Sequence, residues 1–253
     1  MDSLAITLIA ITGLVMGFVN NLAGAGGALA LLSFELVAHL APDAANAAMR
    51  PAAFAIGLGG WLGFALHRQR VPARAFLYGL ATLPGALLGT WFAIELPDQV
   101  YDLALLVVIA ILVVGLVRER RGAPPPKPAS PWLATALFVA VGIHMGFLQV
   151  GVGLLAIAAL RRVGDRDLVR VNASKMALIL CSSATSIASF TAARAIPWGP
   201  ALTLAAGALV GSFLGSVFAV RRGHRAVLAF VLVVAVVVLA RTAFRLALSI
   251  GGA

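Results

Sequence analysis

Residues 20–27 read N-N-L-A-G-A-G-G and interrupt an otherwise apolar stretch that runs from Leu4 to Ala38. Glycines permit a tight reversal of the backbone, so the stretch can fold into a hairpin about this point. Each arm then has about 15 residues, marginal for crossing a hydrocarbon core that takes roughly 20. A second interruption, Gln149 to Gly153 or Q-V-G-V-G, divides the apolar stretch Trp132 to Leu160 in the same way.

Further apolar segments fall at Ala44 to Leu66, Ala73 to Leu96, Val100 to Val117, Val169 to Ala193, Pro200 to Val220 and Ala226 to Leu248. The distribution of basic residues decides how they cross, because cytoplasmic loops collect Lys and Arg. If all eight segments cross once, the 19 Lys and Arg divide 10 to 9 and no side is favoured. If the first segment of each half is a hairpin that enters and leaves on one side, 15 fall on the inner side and 4 on the outer. The hairpin topology is therefore expected, with both termini outside.

The two halves also repeat. At an offset of 126 residues Asn46 pairs with Asn172, Phe64 with Phe190, Arg68 with Arg194, Gly85 with Gly211 and Gly89 with Gly215. Upstream the offset becomes 129, and Gly13, Met16, Gly17 and Phe18 match Gly142, Met145, Gly146 and Phe147. The expected fold is an all-α polytopic membrane protein of two inverted-topology repeats, each a Gly-rich helical hairpin plus three transmembrane helices. The first repeat covers residues 1–118 and the second 132–253. A Pro-rich cytoplasmic linker, residues 119–131, joins them, and its A-P-P-P-K-P run is a stiff extended spacer. Inverted repeats recur in secondary transporters, where substrate sits near the midplane between the halves.

Composition agrees. Of 253 residues 62% are hydrophobic and 11% charged, with mean hydropathy +1.04, against roughly 25% charged in soluble domains. The net charge of +10 sits in short clusters between apolar segments, which is positive-inside patterning and excludes a nucleic-acid partner. No cleaved signal peptide is expected behind Asp2, which has no basic flank. A lone cysteine, Cys181, leaves no disulfide and no cysteine metal cluster. The sequence has no G-x-S-x-G, H-E-x-x-H or P-loop motif, so no enzyme, metal or cofactor is expected.

The polar groups inside apolar sequence are the candidate site. A helix starting at a hairpin tip aims its positive end and uncovered N–H groups at the site, which favours an anion. This places Asn20, Asn21, Gly24, Gly26, Gly27, Gln149, Gly151 and Gly153 around a substrate; glycines can equally serve close helix packing, the reading given to Gly85, Gly89, Gly211 and Gly215. Asn46 with Arg50, and Asn172 with Lys175, stand four and three residues apart, so each half presents an amide and a cation on one helical face. The cations either face a cavity or snorkel to the headgroups. Ser182, Ser183, Thr185, Ser186 and Thr191 either line a pathway or hydrogen-bond between helices. Glu35 and His144 are the candidates for carrying a proton.

The early G-x-x-x-G at Gly13 and Gly17, the glycine cluster Gly24 to Gly27, the basic loop His67 to Arg70, L-P-G-A-L-L-G-T at Leu83 to Thr90 and G-A-L-V-G-S-F-L-G at Gly207 to Gly215 together resemble the TauE/SafE family of sulfite-exporter-like permeases. The sequence departs from the family pattern at Q-V-G-V-G, where a richer glycine run is usual. The resemblance implies transport of sulfite, sulfonates or related anions across the cell (inner) membrane. Its partners would be a small anionic substrate and the lipid bilayer, with room for a homo-oligomer. Export of an anion is downhill in an inside-negative potential, so potential-driven or weakly proton-coupled export is expected. The alternatives are a membrane subunit of a multi-component transport complex, or an intramembrane enzyme using Glu35 and His144.

Overall fold

A computed structural model of the protein describes residues 1–69, 71–93, 114, 129–147, 149–164, 167–193 and 195–251. The span expected at 100–117, apart from Val114, the linker up to residue 128, and Arg70 and Arg194 lie outside the described residues. Eight helices make up the rest, with no strand among the described residues: α1 Ser3–Leu22, α2 Gly27–Leu36, α3 Pro42–Leu66, α4 Ala73–Phe92, α5 Pro131–Phe147, α6 Val152–Arg162, α7 Leu168–Ala192 and α8 Trp198–Gly251.

Each boundary has a local cause. Asp2 caps α1 by accepting from Ala5 N at 2.8 Å, and Asp167 caps α7 by accepting from Val169 N at 3.1 Å. Pro42 opens α3, where its missing N–H costs nothing. Helix α8 breaks at Gly223, with φ 72 and ψ −174, between the two apolar stretches read in the sequence. His224 Nδ1 accepts from Leu168 N at 3.1 Å and lies 3.6 Å from Asp167 Oδ1, which ties the break to the start of α7.

Five of the helices are long and apolar enough to cross a bilayer: Ser3–Leu22, Asp43–Leu66, Ala73–Phe92, Leu168–Ala192 and Trp198–Val233. Their outward side chains include Leu4, Leu77, Leu80, Leu87, Leu202 and Val233, each more than half exposed, which only lipid accommodates on this scale. The chain is a multi-pass membrane protein. The two chain reversals fall where the sequence put them, but their arms are unequal. Helix α1 has 20 residues and α2 only 10; α5 has 17 and α6 only 11. At 1.5 Å per residue the return arms reach roughly 15 Å, about half the apolar thickness. The start of α1 is exposed, whereas Asn20, Asn21 and Leu22 at its end are buried inside the protein.

Packing crosses between the halves. Helix α1 lies against α8, and α5 against α4; α3 packs on α8 and α7, and α4 also on α7. Glycine rows make this possible. A Cβ on Gly13 or Gly17 would run into the backbone of Leu204 or Ala208, and one on Gly142 or Gly146 into that of Thr82 or Ala86. From the facing helices, Gly211 and Gly85 meet the backbone of Leu14 and Val139, while Gly215 and Gly89 meet that of Phe18 and Ile143. Leu14 with Val139, and Phe18 with Ile143, are 125 positions apart, against the 129 of the sequence match. A G-x-x-x-G row slipped by one turn still sets glycine on glycine, which hides the register from sequence comparison.

Gly89→Leu, whose side chain would enter the Ile143 backbone, is expected to destabilise the protein by about 1–3 kcal/mol, as overpacked substitutions do. Gly199→Leu, with open space around it, is the control. Thermal unfolding in detergent checks this, and equal midpoints for the two variants would refute the close packing.

Candidate functional site: two crossed clamps on broken helix ends

Where α1 and α5 stop inside the protein, their last carbonyls lose the intrahelical partners that a longer helix would supply. Away from water, such groups must be satisfied by the protein itself. The structure does this twice, each time from the other half. From α3, Asn46 Nδ2 donates to Phe147 O at 3.1 Å, Arg50 Nη1 to Met145 O at 2.6 Å, and Arg50 Nη2 to Phe147 O and Asn46 Oδ1, both at 3.1 Å. From α7, Asn172 Nδ2 donates to Leu22 O at 3.1 Å, and Lys175 Nζ to Asn20 O at 2.9 Å, Asn21 O at 2.6 Å and Asn172 Oδ1 at 2.8 Å. Each cation thus sits at the negative end of a helix dipole, where a positive charge is favoured.

Arg50, Lys175, Asn172 and Asn21 are all fully buried, and Asn20, Asn46 and Gln149 nearly so. Neither cation snorkels; both face the protein interior. The guanidinium of Arg50 also lies 4.6 Å from the ring centroid of Phe190, a cation–π contact. On the eight helices the carboxylates are Glu35 and Asp43, and neither is buried. Among the described residues of these helices the interior thus holds two buried cations and no buried carboxylate.

The hairpin tips meet between the clamps. Gly24 (φ 77) and Gly151 (φ 75) turn the chain with left-handed backbone that glycine adopts without strain. Gly153 N donates to Gly24 O at 3.0 Å, and a Cβ on either residue would fall on the backbone of the other. A Cβ on Gly26 would strike the Met16 carbonyl, and one on Gly27 the Gln149 carbonyl. The short helices α2 and α6 begin at this junction, bringing two helix N-termini to one place.

Most residues singled out from the sequence are thus brought together, with particular roles. Asn21 Nδ2 donates to Ser212 O at 2.8 Å and Oγ at 3.0 Å, and Ser212 Oγ passes the chain on to Ile56 O at 2.7 Å. Asn21 Oδ1 is buried without a hydrogen-bond partner among the described residues. Gln149 Nε2 approaches Met145 O at 3.3 Å, the carbonyl that Arg50 holds. His144 Nε2 lies 3.1 Å from Val150 O and staples the second hairpin across its turn. Glu35 is half-buried in the last turn of α2, about 12 Å along the helix from Gly27, and is bonded to neither clamp.

The hydroxyls of α7 mostly fold back on their own helix: Ser182 onto Leu178 O, Ser183 onto Ile179 O, Thr185 onto Cys181 O and Ser189 onto Thr185 O. Ser182 alone of these also reaches across, to Met145 Sδ at 2.9 Å. Two participants, Ser212 and the Phe190 ring, escaped the sequence reading. Phe190 carried a signal in its match with Phe64; Ser212 carried none.

Asn172→Ala would leave the buried Leu22 carbonyl without the amide and is expected to cost about 1–3 kcal/mol, seen as a lowered unfolding midpoint in detergent; an unchanged midpoint would mean that the clamp holds nothing. No curated protein and no solved structure matches the chain. The family model described as sulfite exporter TauE/SafE matches residues 9–242, which takes in both clamps, both hairpin turns and all but the first six residues of α1 and the last nine of α8. The chain belongs to the TauE/SafE family of sulfite exporters.

Proposed function

We propose that the protein is a secondary transporter of the cell (inner) membrane that exports small sulfur-containing anions, such as sulfite or a short sulfonate. Residues 1–118 and 132–253 act as two inverted repeats that give alternating access to a site between them. Family membership supports the anion class, and one observation supports the place: two fully buried cations, one from each half, flank the junction of the hairpin tips. An oxyanion entering there would meet Arg50, Lys175, the amides of Asn46 and Asn172, and the N-termini of α2 and α6. The three oxygens that now hold Lys175 are neutral, so they orient its positive charge without cancelling it.

Tip-to-tip contact closes the route between the halves in this state. Transport requires the tips to part, and parting draws α1 away from Lys175 and α5 away from Arg50. Anion export follows the membrane potential, since each net negative charge gains about 2.3 kcal/mol per 100 mV on leaving an inside-negative cell.

The test is isotope flux through the purified protein in liposomes, comparing sulfite, a short sulfonate, sulfate and acetate. Sulfite or sulfonate flux is expected, reduced roughly tenfold or more in Arg50→Ala and in Lys175→Ala, equivalent to at least about 1.4 kcal/mol of lost stabilisation. Absence of flux for all four anions would overturn the reading in favour of a protein that works only with a partner subunit.

A further inference from the structure

Five hydroxyls lie between residues 182 and 189 of α7, and they divide in two. Ser182, Ser183, Thr185 and Ser189 each donate to a carbonyl one turn back on their own helix. Ser186 does not: it is fully buried, and its Oγ has no hydrogen-bond partner among the described residues. A buried hydroxyl left without a partner costs stability, so one that persists calls for a reason. Its neighbours on the helix say what it faces. Side chains four apart share a face, and Ser186 lies between Ser182 and Phe190. Ser182 Oγ touches Met145 Sδ at 2.9 Å, Arg50 Nη1 donates to Met145 O at 2.6 Å, and the guanidinium carbon lies 4.6 Å from the centroid of the Phe190 ring. Ser186 is thus bracketed, one turn either way, by two side chains through which α7 meets the Arg50 clamp.

The other clamp is filled at the matching place. Gly60 follows the clamp amide Asn46 by 14 residues, as Ser186 follows Asn172. A Cβ on Gly60 would meet Met176 Sδ and the Asn21 amide, so a side chain from the end of α1 already occupies that space. Asn21 precedes the Leu22 carbonyl that Asn172 holds. The residue that precedes the Phe147 carbonyl held by Asn46 is Gly146, which has no side chain to send across. One clamp therefore sets an amide against a glycine, and the other pairs an unmet hydroxyl with a helix end that supplies no amide.

Resting on the transport reading above, we infer that Ser186 is a ligand of the transported anion, its hydroxyl donating to the third oxygen of a sulfite or sulfonate group that Arg50 holds by the other two. A guanidinium presents its donors in a planar fork that matches two oxygens of one anion. A carboxylate has only those two and is satisfied by the fork. A sulfite or sulfonate group is pyramidal at sulfur and carries a third oxygen out of the plane of the fork, which needs a donor from beside it. Ser186, one turn along α7 from the Phe190 ring that the guanidinium lies against, is placed to supply it. When the tips part, the Met145 and Phe147 carbonyls leave Arg50, and the anion takes their place next to the hydroxyl. No proton is transferred; the O–H bond only turns toward the anion. The hydroxyl is neutral, so it adds selectivity without altering the charge that crosses the membrane.

The experiment measures methanesulfonate flux through the full chain in liposomes, with acetate as a competing anion; the two share a methyl group and differ by one oxygen on the charged end. Ser186→Ala is expected to raise the KM for methanesulfonate roughly tenfold, the loss of one hydrogen bond to a charged group, with the inhibition constant of acetate unchanged. Unfolding in detergent gives a readout independent of transport: removing an unpartnered hydroxyl should leave the midpoint equal or higher. A methanesulfonate KM unchanged in S186A overturns the inference while leaving anion transport standing, as does one that rises in step with the acetate constant. A lowered midpoint in S186A overturns it too, since the hydroxyl would then be holding the helices together. Absence of methanesulfonate and sulfite flux alike in the wild type overturns the transport reading, and this inference with it.

Discussion

A helix that stops inside a membrane protein leaves carbonyls that water cannot reach, and the rest of this architecture follows from how those carbonyls are satisfied. Two helices, α1 and α5, stop in the interior. Each is completed by an amide and a cation from a helix of the other half. That arrangement forces three further features. The capping helices α3 and α7 must run alongside the broken ends. The return arms must be short, since they start mid-protein. The tips must approach closely, which only glycine at Gly24 and Gly153 allows. A structural need, to satisfy backbone at a helix end, thereby places two cationic side chains in the interior beside the hairpin tips.

Small residues do the corresponding work along the helices. Hydrophobic burial gives little drive for one apolar helix to prefer another over lipid, so close contact has to come from shape. The rows Gly13 and Gly17, Gly85 and Gly89, Gly142 and Gly146, and Gly207 and Gly211 bring backbone against backbone between α1 and α8 and between α4 and α5. The bulky residues are turned the other way, toward lipid, as Leu77, Leu80 and Leu87 show on α4.

The sequence made some of this legible and hid the rest for identifiable reasons. Membrane character, the two reversals and the pairing of Asn46 with Arg50 and Asn172 with Lys175 could be read because they depend on composition, glycine and helical periodicity. What the cations bind could not be read, since backbone carbonyls carry no residue signature. The unequal arms were hidden as well: α1 and α2 are equally apolar, and nothing in an Ala- and Leu-rich stretch says how far it runs. His144, read with Glu35 as a candidate for carrying a proton, also lies against the Val150 carbonyl across its own hairpin. Lys175, read as a substrate ligand, is distinguished from Arg50 only once both are seen in matching surroundings.

The cross-half packing also constrains how the protein is made. The glycine face of α1 finds its partner in α8, almost 200 residues further along the chain. When the first hairpin leaves the ribosome, its uncapped carbonyls at Asn20, Asn21 and Leu22 have no Lys175 or Asn172 to receive them, and its ten-residue return arm is too short to rest across a bilayer. The first hairpin is therefore completed only by α7, which caps its carbonyls, and α8, which packs on its glycine face.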